Sequence, residues 1–204
     1  MDAFDADDDV ALIVKTEPVN QIAYRALPER ERKTAPSHVA MVWFTLAQIM
    51  ADYARPPKVH LVASGISARE IDRLHTRGDC FISLTRSEGW GLCPFDAALF
   101  GNPVIITGWG GHLDYLGAGY PFLVRYELEP TARSAPDGYH WHAENAHWAR
   151  ADRRHASELM RFVFENRDWA SSVARTMQPQ LRASYASARV CRRLAQLMDF
   201  DVHG

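Results

Sequence analysis

Residues 78–116 read GDCFISLTRSEGWGLCPFDAALFGNPVIITGWGGHLDYL, and this stretch decides the fold. Residues 80–84 and 104–107 are short apolar runs bounded by turn residues, the pattern of buried strands rather than of helices, which need more length. Between them, residues 94–100 suit a short helix, because Pro94 at a first helical position gives up an N–H that would have no partner there. A second short helix fits residues 112–116. Strands and helices in such close alternation point to a parallel sheet, since parallel neighbours need a crossover and a helix usually provides it.

The same alternation continues outward. Upstream, residues 59–63 (VHLVA) and 10–16 (VALIVKT) read as further strands, the latter buried and ending near Lys15. Ser37 offers an N-cap for a helix through residues 39–54, where Val39, Val42, Trp43, Leu46, Ile49, Met50 and Tyr53 recur at helical spacing until Arg55, Pro56 and Pro57 end it. Ser67 and Glu70 form a capping box, in which each side chain satisfies an orphan amide near the other, and open a helix that Gly78 closes. Downstream, residues 122–125 supply a fifth strand. Residues 127–147, rich in Pro, Gly, His and aromatic side chains without a period, read as an irregular surface excursion. After it, Ala156, Leu159, Met160, Val163 and Phe164 mark an amphipathic helix from Asp152, and two more helical stretches fall at 169–177 and 184–198. The expected fold is α/β. A Rossmann-like parallel sheet with helices on both faces occupies residues 9–126, extra C-terminal helices occupy 152–200, and the whole forms one domain.

At 204 residues the chain is long enough for one well-buried domain. Apolar residues at 47% and charged residues at 24% exclude a disordered or membrane-embedded chain, and no apolar run approaches the roughly 18 residues that cross a bilayer. The opening MDAFDADDDV carries five aspartates and no basic segment, so no secretory signal is read there and a cytoplasmic location is expected. A formal charge of −2 argues against a general attraction to nucleic acid. The basic clusters at Arg30, Arg32 and Lys33 and at Arg150, Arg153 and Arg154 read as solvated helix faces. Cys80, Cys93 and Cys191 show no paired spacing, and are expected as buried free thiols rather than disulfides or zinc ligands. His140, His142, His147 and His155 could ligate a metal if their loop folded back, but no cysteine or acidic cluster completes such a set. No metal and no cofactor are expected.

In an open parallel sheet, ligands bind beyond the carboxyl ends of the strands, where loops lead into helix N-termini. The first such loop is residues 85–92 (TRSEGWGL). Two glycines around one aromatic let the backbone approach a ligand closely, and amides opening the following helix favour an anion such as a phosphate. Glu88 in this loop and Asp96, expected in the first helical turn, can face one crevice. One could orient a sugar and the other accept hydrogen bonds from paired ribose hydroxyls. The residues alone leave equally open that Asp96 serves the helix dipole and that Glu88 is a solvated loop carboxylate. No G-x-G-x-x-G follows the first strand, which argues against a dehydrogenase.

The phrase S-E-G-W-G-L-x-x-x-[acid]-A-x-x-x-G-x-P-V-I, running from Ser87 to Ile105, resembles the donor-site signature of the retaining glycosyltransferases with the GT-B fold. Gly108, Gly110, Gly111 and Asp114 lie in a stretch similar to that family's glycine-rich turn after the next strand, and residues 147–152 (HWARAD) resemble a later W-A-E-P-D phrase. The resemblance implies that the chain is the C-terminal, donor-binding half of a GT-B fold. It implies a hexosyltransferase-like enzyme that moves a glycosyl group from a nucleoside-diphosphate sugar to an acceptor with retention, using no separate cofactor. It assigns Glu88 to the transferred sugar near the reacting centre, as the catalytic residue. Gly89, Trp90, Gly91 and Leu92 fall in the loop that holds sugar and diphosphate, flanked by Arg86 and Ser87, and Asp96 falls where the ribose is bound. Gly110 and Gly111 are read as structural.

Two departures from the family pattern matter. Asp96 stands where the family has glutamate, one methylene longer, so the ribose contact is expected to be weaker, shifted or bridged by water. The family's phosphate-binding arginine and lysine follow an earlier strand than any found here, so that unit and the acceptor-binding domain are expected to lie before Met1. Charge neutralisation at the leaving group then falls to Arg86, to Lys15 as a candidate phosphate ligand, or to a separate polypeptide. The expected partners are therefore a nucleotide sugar and a separate or missing acceptor-binding domain, with no nucleic acid and no transmembrane segment. The chain on its own could be inactive. The competing function is a non-catalytic nucleotide-sugar-binding or partner module that lacks the second lobe.

Overall fold

The computed structural model describes residues 2–19, 29–30, 41–131 and 145–198. Ser37, Arg32, Lys33, His140 and His142 lie outside the described residues, and so do the expectations resting on them. The chain gathers into two compact units, Met1–Glu70 with Glu127–Arg150, and Ile71–Tyr126 with Ala151–Gly204.

In the first unit, β1 (Ala11–Lys15) pairs in parallel with β2 (Lys58–Val62), with Ala11 opposite Lys58 and Lys15 opposite Val62. Between them in sequence runs α1 (Val42–Ala51), whose N-cap is Met41 with no side-chain hydrogen bond, and whose C-cap is Asp52. The helix thus ends before the two prolines expected to stop it. β1 was expected to be buried, yet every residue in it is exposed or half-buried and Ile13 is 48% exposed. Among the described residues its apolar run is matched by one neighbouring strand in a two-stranded ribbon. The aspartate-rich opening is tied down locally. Asp8 accepts from the Asp5 amide at 2.9 Å, Asp2 accepts from the Tyr53 hydroxyl at 2.7 Å, and Asp7 pairs with Arg55.

Two further strands pair, β6 (Tyr126–Pro130), most of it within the stretch expected to be irregular, and β7 (His147–Ala151), which begins at the last residue of that stretch. In β6 Tyr126 and Leu128 alternate with Glu127 and Glu129, but both apolar residues are exposed and mark no buried face. Charged and aromatic pairs hold them instead: Trp148 Nε1 donates to Glu129 at 3.1 Å, and Arg150 pairs with Glu127 and, at 3.6 Å, with Glu129.

The second unit contains a three-stranded parallel sheet, ordered β3 (Phe81–Ser83), β4 (Val104–Thr107) and β5 (Leu123–Val124). The continuous sheet expected over residues 9–126 is therefore divided, with β1 and β2 in one small parallel sheet and β3, β4 and β5 in another. Hydrophobic pattern identifies a strand but does not name its partner. The fold is α/β with small parallel sheets. All four residues of β4 are fully buried. Because successive side chains point to opposite faces, both faces of β4 must be covered. The helix α2 (Ala68–Arg77) is followed by α3 (Leu92–Phe100), which packs on β3 and β4, and by the single turn α4 (Leu113–Leu116). Helix α5 (Arg153–Glu165) packs on β4 and β5, α6 (Arg167–Ser184) packs on α3, and α7 (Ser187–Leu197) ends the described chain.

Local signals act as elementary chemistry dictates. Glu70 reaches back to the Ser67 amide at 2.8 Å, the reciprocal half of the capping box that opens α2. Asp152 caps α5 by accepting from the His155 amide at 3.0 Å. Gly101, at φ 83°, ends α3, and the Leu99 carbonyl there receives Gln178 at 2.8 Å and Arg182 at 3.2 Å. The core around β4 includes Phe122, edge-on to both Tyr120 and Trp169, while the Tyr120 hydroxyl accepts the Val104 amide proton at 2.9 Å. The thiols differ from the expectation of burial. Cys80 is partly buried and pushed up to about 12 by desolvation, whereas Cys93 and Cys191 are exposed, one in the first turn of α3 and the other on α7. Among the described residues, no helix is long and apolar enough to cross a membrane.

Phe122→Ala should cost about 3–5 kcal/mol, and Ser67→Ala about 1 kcal/mol, because the first empties a fully buried ring site and the second removes only a cap. Urea denaturation followed by circular dichroism measures both.

Candidate functional site

Parallel strands β3 and β4 end level with each other, since Ser83 stands opposite Ile106. The turns that leave them, residues 84–91 and 108–112, consequently start side by side. They meet through main chain. The Gly111 amide donates to the Glu88 carbonyl at 2.8 Å. A Cβ on Gly111 would fall on the Gly89 carbonyl oxygen, and one on Gly110, whose φ is +137°, would lie 2.8 Å from the Glu88 carbonyl oxygen. Only glycine permits this approach. Both glycines are thus structural, as read from the sequence, and their task is to hold the Glu88–Gly89 peptide.

Gly91 supplies the left-handed residue, φ 78°, that turns the chain into α3. The helix begins at Leu92, earlier than the expected Pro94, so Pro94 stands inside the first turn. Asp96 consequently falls in the second turn rather than the first, and no acidic residue occupies the first turn of α3. The reading of Asp96 as a helix-dipole partner loses its geometric basis. Helix geometry leaves the Leu92 and Cys93 amides without an intrahelical acceptor, Pro94 has none to offer, and the first closed bond runs from the Phe95 amide to the Gly91 carbonyl at 2.9 Å.

Glu88 and Asp96 are both half-buried. Their relation shows through a third residue, Tyr115 of α4, whose hydroxyl donates to the Gly91 carbonyl at 3.2 Å. Burial first, then the negative charges of Glu88 and Asp96, hold this phenol above its usual range. Both carboxylates therefore act on one hydroxyl. Asp96 also acts on His75 of α2, which is 9% exposed and stacks on Phe100, one turn along α3 from Asp96, at 5.7 Å. Burial lowers the His75 pKa, while Asp96 and Asp72 partly raise it.

Trp90 does not stand free in its loop. Its ring packs at 5.6 Å from Phe95, 5.2 Å from Tyr115 and 5.0 Å from Tyr185, which anchors the turn between the two glycines. The solvent-facing side of the turn belongs to Arg86, Ser87, Gly89 and Leu92, all exposed, with Leu92 at 72%. Lys15 belongs to the first unit, where its ammonium donates to the Thr16 carbonyl at 3.1 Å.

No protein-family model matches the chain, and no curated protein matches it. The site is therefore read on its own chemistry. Among the described residues, no group of three or more His, Cys, Asp or Glu side chains could hold a metal ion. His147 instead contacts the Asn145 carbonyl at 2.9 Å, and His155 accepts the Arg125 amide proton at 3.0 Å. A separate cavity of about 400 Å³ opens beside α4 and α6, lined in part by Gly119, Tyr120, Val173, Met177 and Gln180, with Asp114 as its one charged residue.

Reasoning from the sequence did not single out Tyr115, His75 or His112. His112 is fully buried, and its Nε2 lies 2.7 Å from the Thr107 carbonyl. A carbonyl can only accept, so Nε2 is the donor, while Nδ1 and the Thr107 hydroxyl, both buried, have no hydrogen-bond partner. Proximity to the G-G pair was the available signal for His112, whereas nothing in linear spacing connects His75 or Tyr115 to the carboxylates.

Gly111→Ala should cost several kcal/mol, because main chain must move, whereas Gly89→Ala, with open space around its Cβ, should change stability by less than about 1 kcal/mol. Paired urea titrations separate the two. A pH dependence follows from His75. Its folded value lies below the ordinary 6.5, so the unfolded chain takes up the proton first, and stability present above pH 6.5 is lost as the pH falls below it. His75→Gln should flatten that acid limb in stability curves measured at about pH 5 and about pH 7.

Proposed function

We propose that this chain binds a nucleoside-diphosphate sugar and serves as the donor-side domain of a retaining, hexosyltransferase-like glycosyltransferase. The observation that carries the reading is the main-chain clasp at the sheet edge, where the Gly111 amide holds the Glu88 carbonyl and the glycine pair packs against the Glu88–Gly89 peptide. Half-buried Glu88 and Asp96 stand on the turn and helix that this clasp positions. A sugar nucleotide needs what this arrangement offers: acceptors for several hydroxyls, and N–H donors for a diphosphate.

In this reading Glu88 faces the transferred sugar and Asp96 accepts from the ribose, directly or through water. The diphosphate lies toward the open N-terminus of α3, where the Leu92 and Cys93 amides point. As the bond between the anomeric carbon and the diphosphate oxygen breaks, negative charge grows on the leaving group. Pre-oriented amides and the Arg86 guanidinium stabilise that charge more than they stabilise the bound donor, which is the condition for catalysis. In this reading the acceptor is bound by a second domain or chain.

The alternative is a nucleotide-sugar-binding or partner module without catalysis. The two readings diverge on turnover rather than on affinity.

Saturating UDP-, GDP- or ADP-linked sugars should raise the melting temperature for at least one nucleotide, by the linkage between ligand and folded state. Asp96→Asn should reduce that shift, and Glu88→Gln should leave most of it. If no sugar nucleotide raises the melting temperature, the binding assignment is wrong. Binding without hydrolysis or transfer, even with an added acceptor-domain chain, selects the non-catalytic module.

A further inference from the structure

Helix α7 stands apart from the core that the other helices build. Between Ala186 and Met198 every residue is exposed except Ala195, which is half-buried. The exposed set includes Val190 at 48%, Leu194 at 55%, Leu197 at 69% and Met198 at 54%. Their spacing, i, i+4, i+7 and i+8, places all four on one stripe. Arg189, Arg192, Arg193 and Gln196 recur at i, i+3, i+4 and i+7 on the opposite face, with Arg193 nearest the edge of the stripe. An 11-residue helix is marginal in water unless something covers its apolar face.

Charge identifies what does. No Asp or Glu occurs between Asp168 and Asp199, while Arg175, Arg182, Arg189, Arg192 and Arg193 all fall there, in a chain whose formal charge is −2. The helix itself, residues 187–198, carries three arginines and no acidic residue, and this positive charge selects an anionic surface. Size argues against a second copy of the chain. The stripe has a footprint of about 16 by 10 Å, well short of the roughly 800 Å² per partner that a stable dimer needs. A lipid surface demands no such area, because apolar side chains enter the acyl boundary one by one while arginines stay at the headgroups.

We infer that α7 is an interfacial helix that docks the chain on an anionic phospholipid bilayer, with Val190, Leu194, Leu197 and Met198 inserted and Arg189, Arg192 and Arg193 at the headgroups. This goes beyond the donor-binding reading and stands without it. It leaves the chain on one side of the bilayer, lying on it rather than spanning it.

Co-sedimentation of the full chain with lipid vesicles tests the inference. The chain should sediment with phosphatidylcholine vesicles containing about 30% phosphatidylglycerol and not with pure phosphatidylcholine, and about 0.5 M salt should weaken the binding. Replacing Arg189, Arg192 and Arg193 with Gln should lower the partition coefficient on the order of 100-fold, because each basic residue near an anionic surface contributes about fivefold. Leu194→Asp with Leu197→Asp should abolish partitioning while leaving the circular dichroism and melting temperature of the rest of the chain unchanged. Absence of partitioning, equal partitioning onto neutral vesicles, or partitioning that survives the Leu194→Asp and Leu197→Asp pair would each overturn the inference. A concentration-dependent dimer in sedimentation velocity, dissolved by that pair, would assign the stripe to a second copy instead.

Discussion

A single main-chain hydrogen bond, from the Gly111 amide to the Glu88 carbonyl, joins the turn after β4 to the turn after β3. Its geometry requires two things together: strands that end within one residue of the same level, and two consecutive residues without Cβ. Remove either and the Glu88 carbonyl loses its donor. The side chain of Glu88 then has no fixed origin. The acidic pair around Tyr115 is therefore a consequence of backbone packing before it is a matter of carboxylates.

The aromatic cluster extends that constraint to distant parts of the chain. Trp90 is flanked by the two glycines of the first turn, yet its ring is gripped by residues from three elements: Phe95 of α3, Tyr115 of α4, and Tyr185 just beyond α6. Such ring pairs add about 0.5–1.5 kcal/mol each beyond the area they bury. The C-terminal helices, which at first look like an appendage to an α/β unit, thus brace the turn. Tyr185 also places its hydroxyl 3.5 Å from the Asp114 carbonyl.

The parts legible from sequence are those decided within a few residues. Residues 104–107 could be read to the residue, because an uninterrupted apolar run between Pro103 and Gly108 matches a strand with both faces covered. The capping box of Ser67 and Glu70 is local chemistry and appears as read. Less legible was whatever depends on a distant partner. β1 and β3 have similar composition, but one lies in a two-stranded ribbon and the other beside a fully buried strand. β6 and β7 are held by Glu–Arg and Glu–Trp pairs across the ladder, whose partners lie about 20 residues apart in the chain. At the site, the motif marked Glu88 and Asp96 but not the groups that share their field. Pro94 was assigned the first helical position although the third suits it equally, since none of the first amides has an intrahelical acceptor. That two-residue error moved Asp96 by most of a turn.

The ends of α3 are treated differently by the rest of the protein. At its carboxyl end, the carboxamide of Gln178 and the guanidinium of Arg182 converge on the Leu99 oxygen and neutralise the negative pole. At its amino end no side-chain cap and no first-turn acid performs the opposite service. The helix is left as a half-shielded dipole whose outward field has one sign. An anion arriving there would meet uncapped amides with the side chain of Glu88 beside them, since a Cβ on the capping Gly91 would lie 3.1 Å from the Glu88 Cγ, so the positive pole and a carboxylate share one end of the same nine residues.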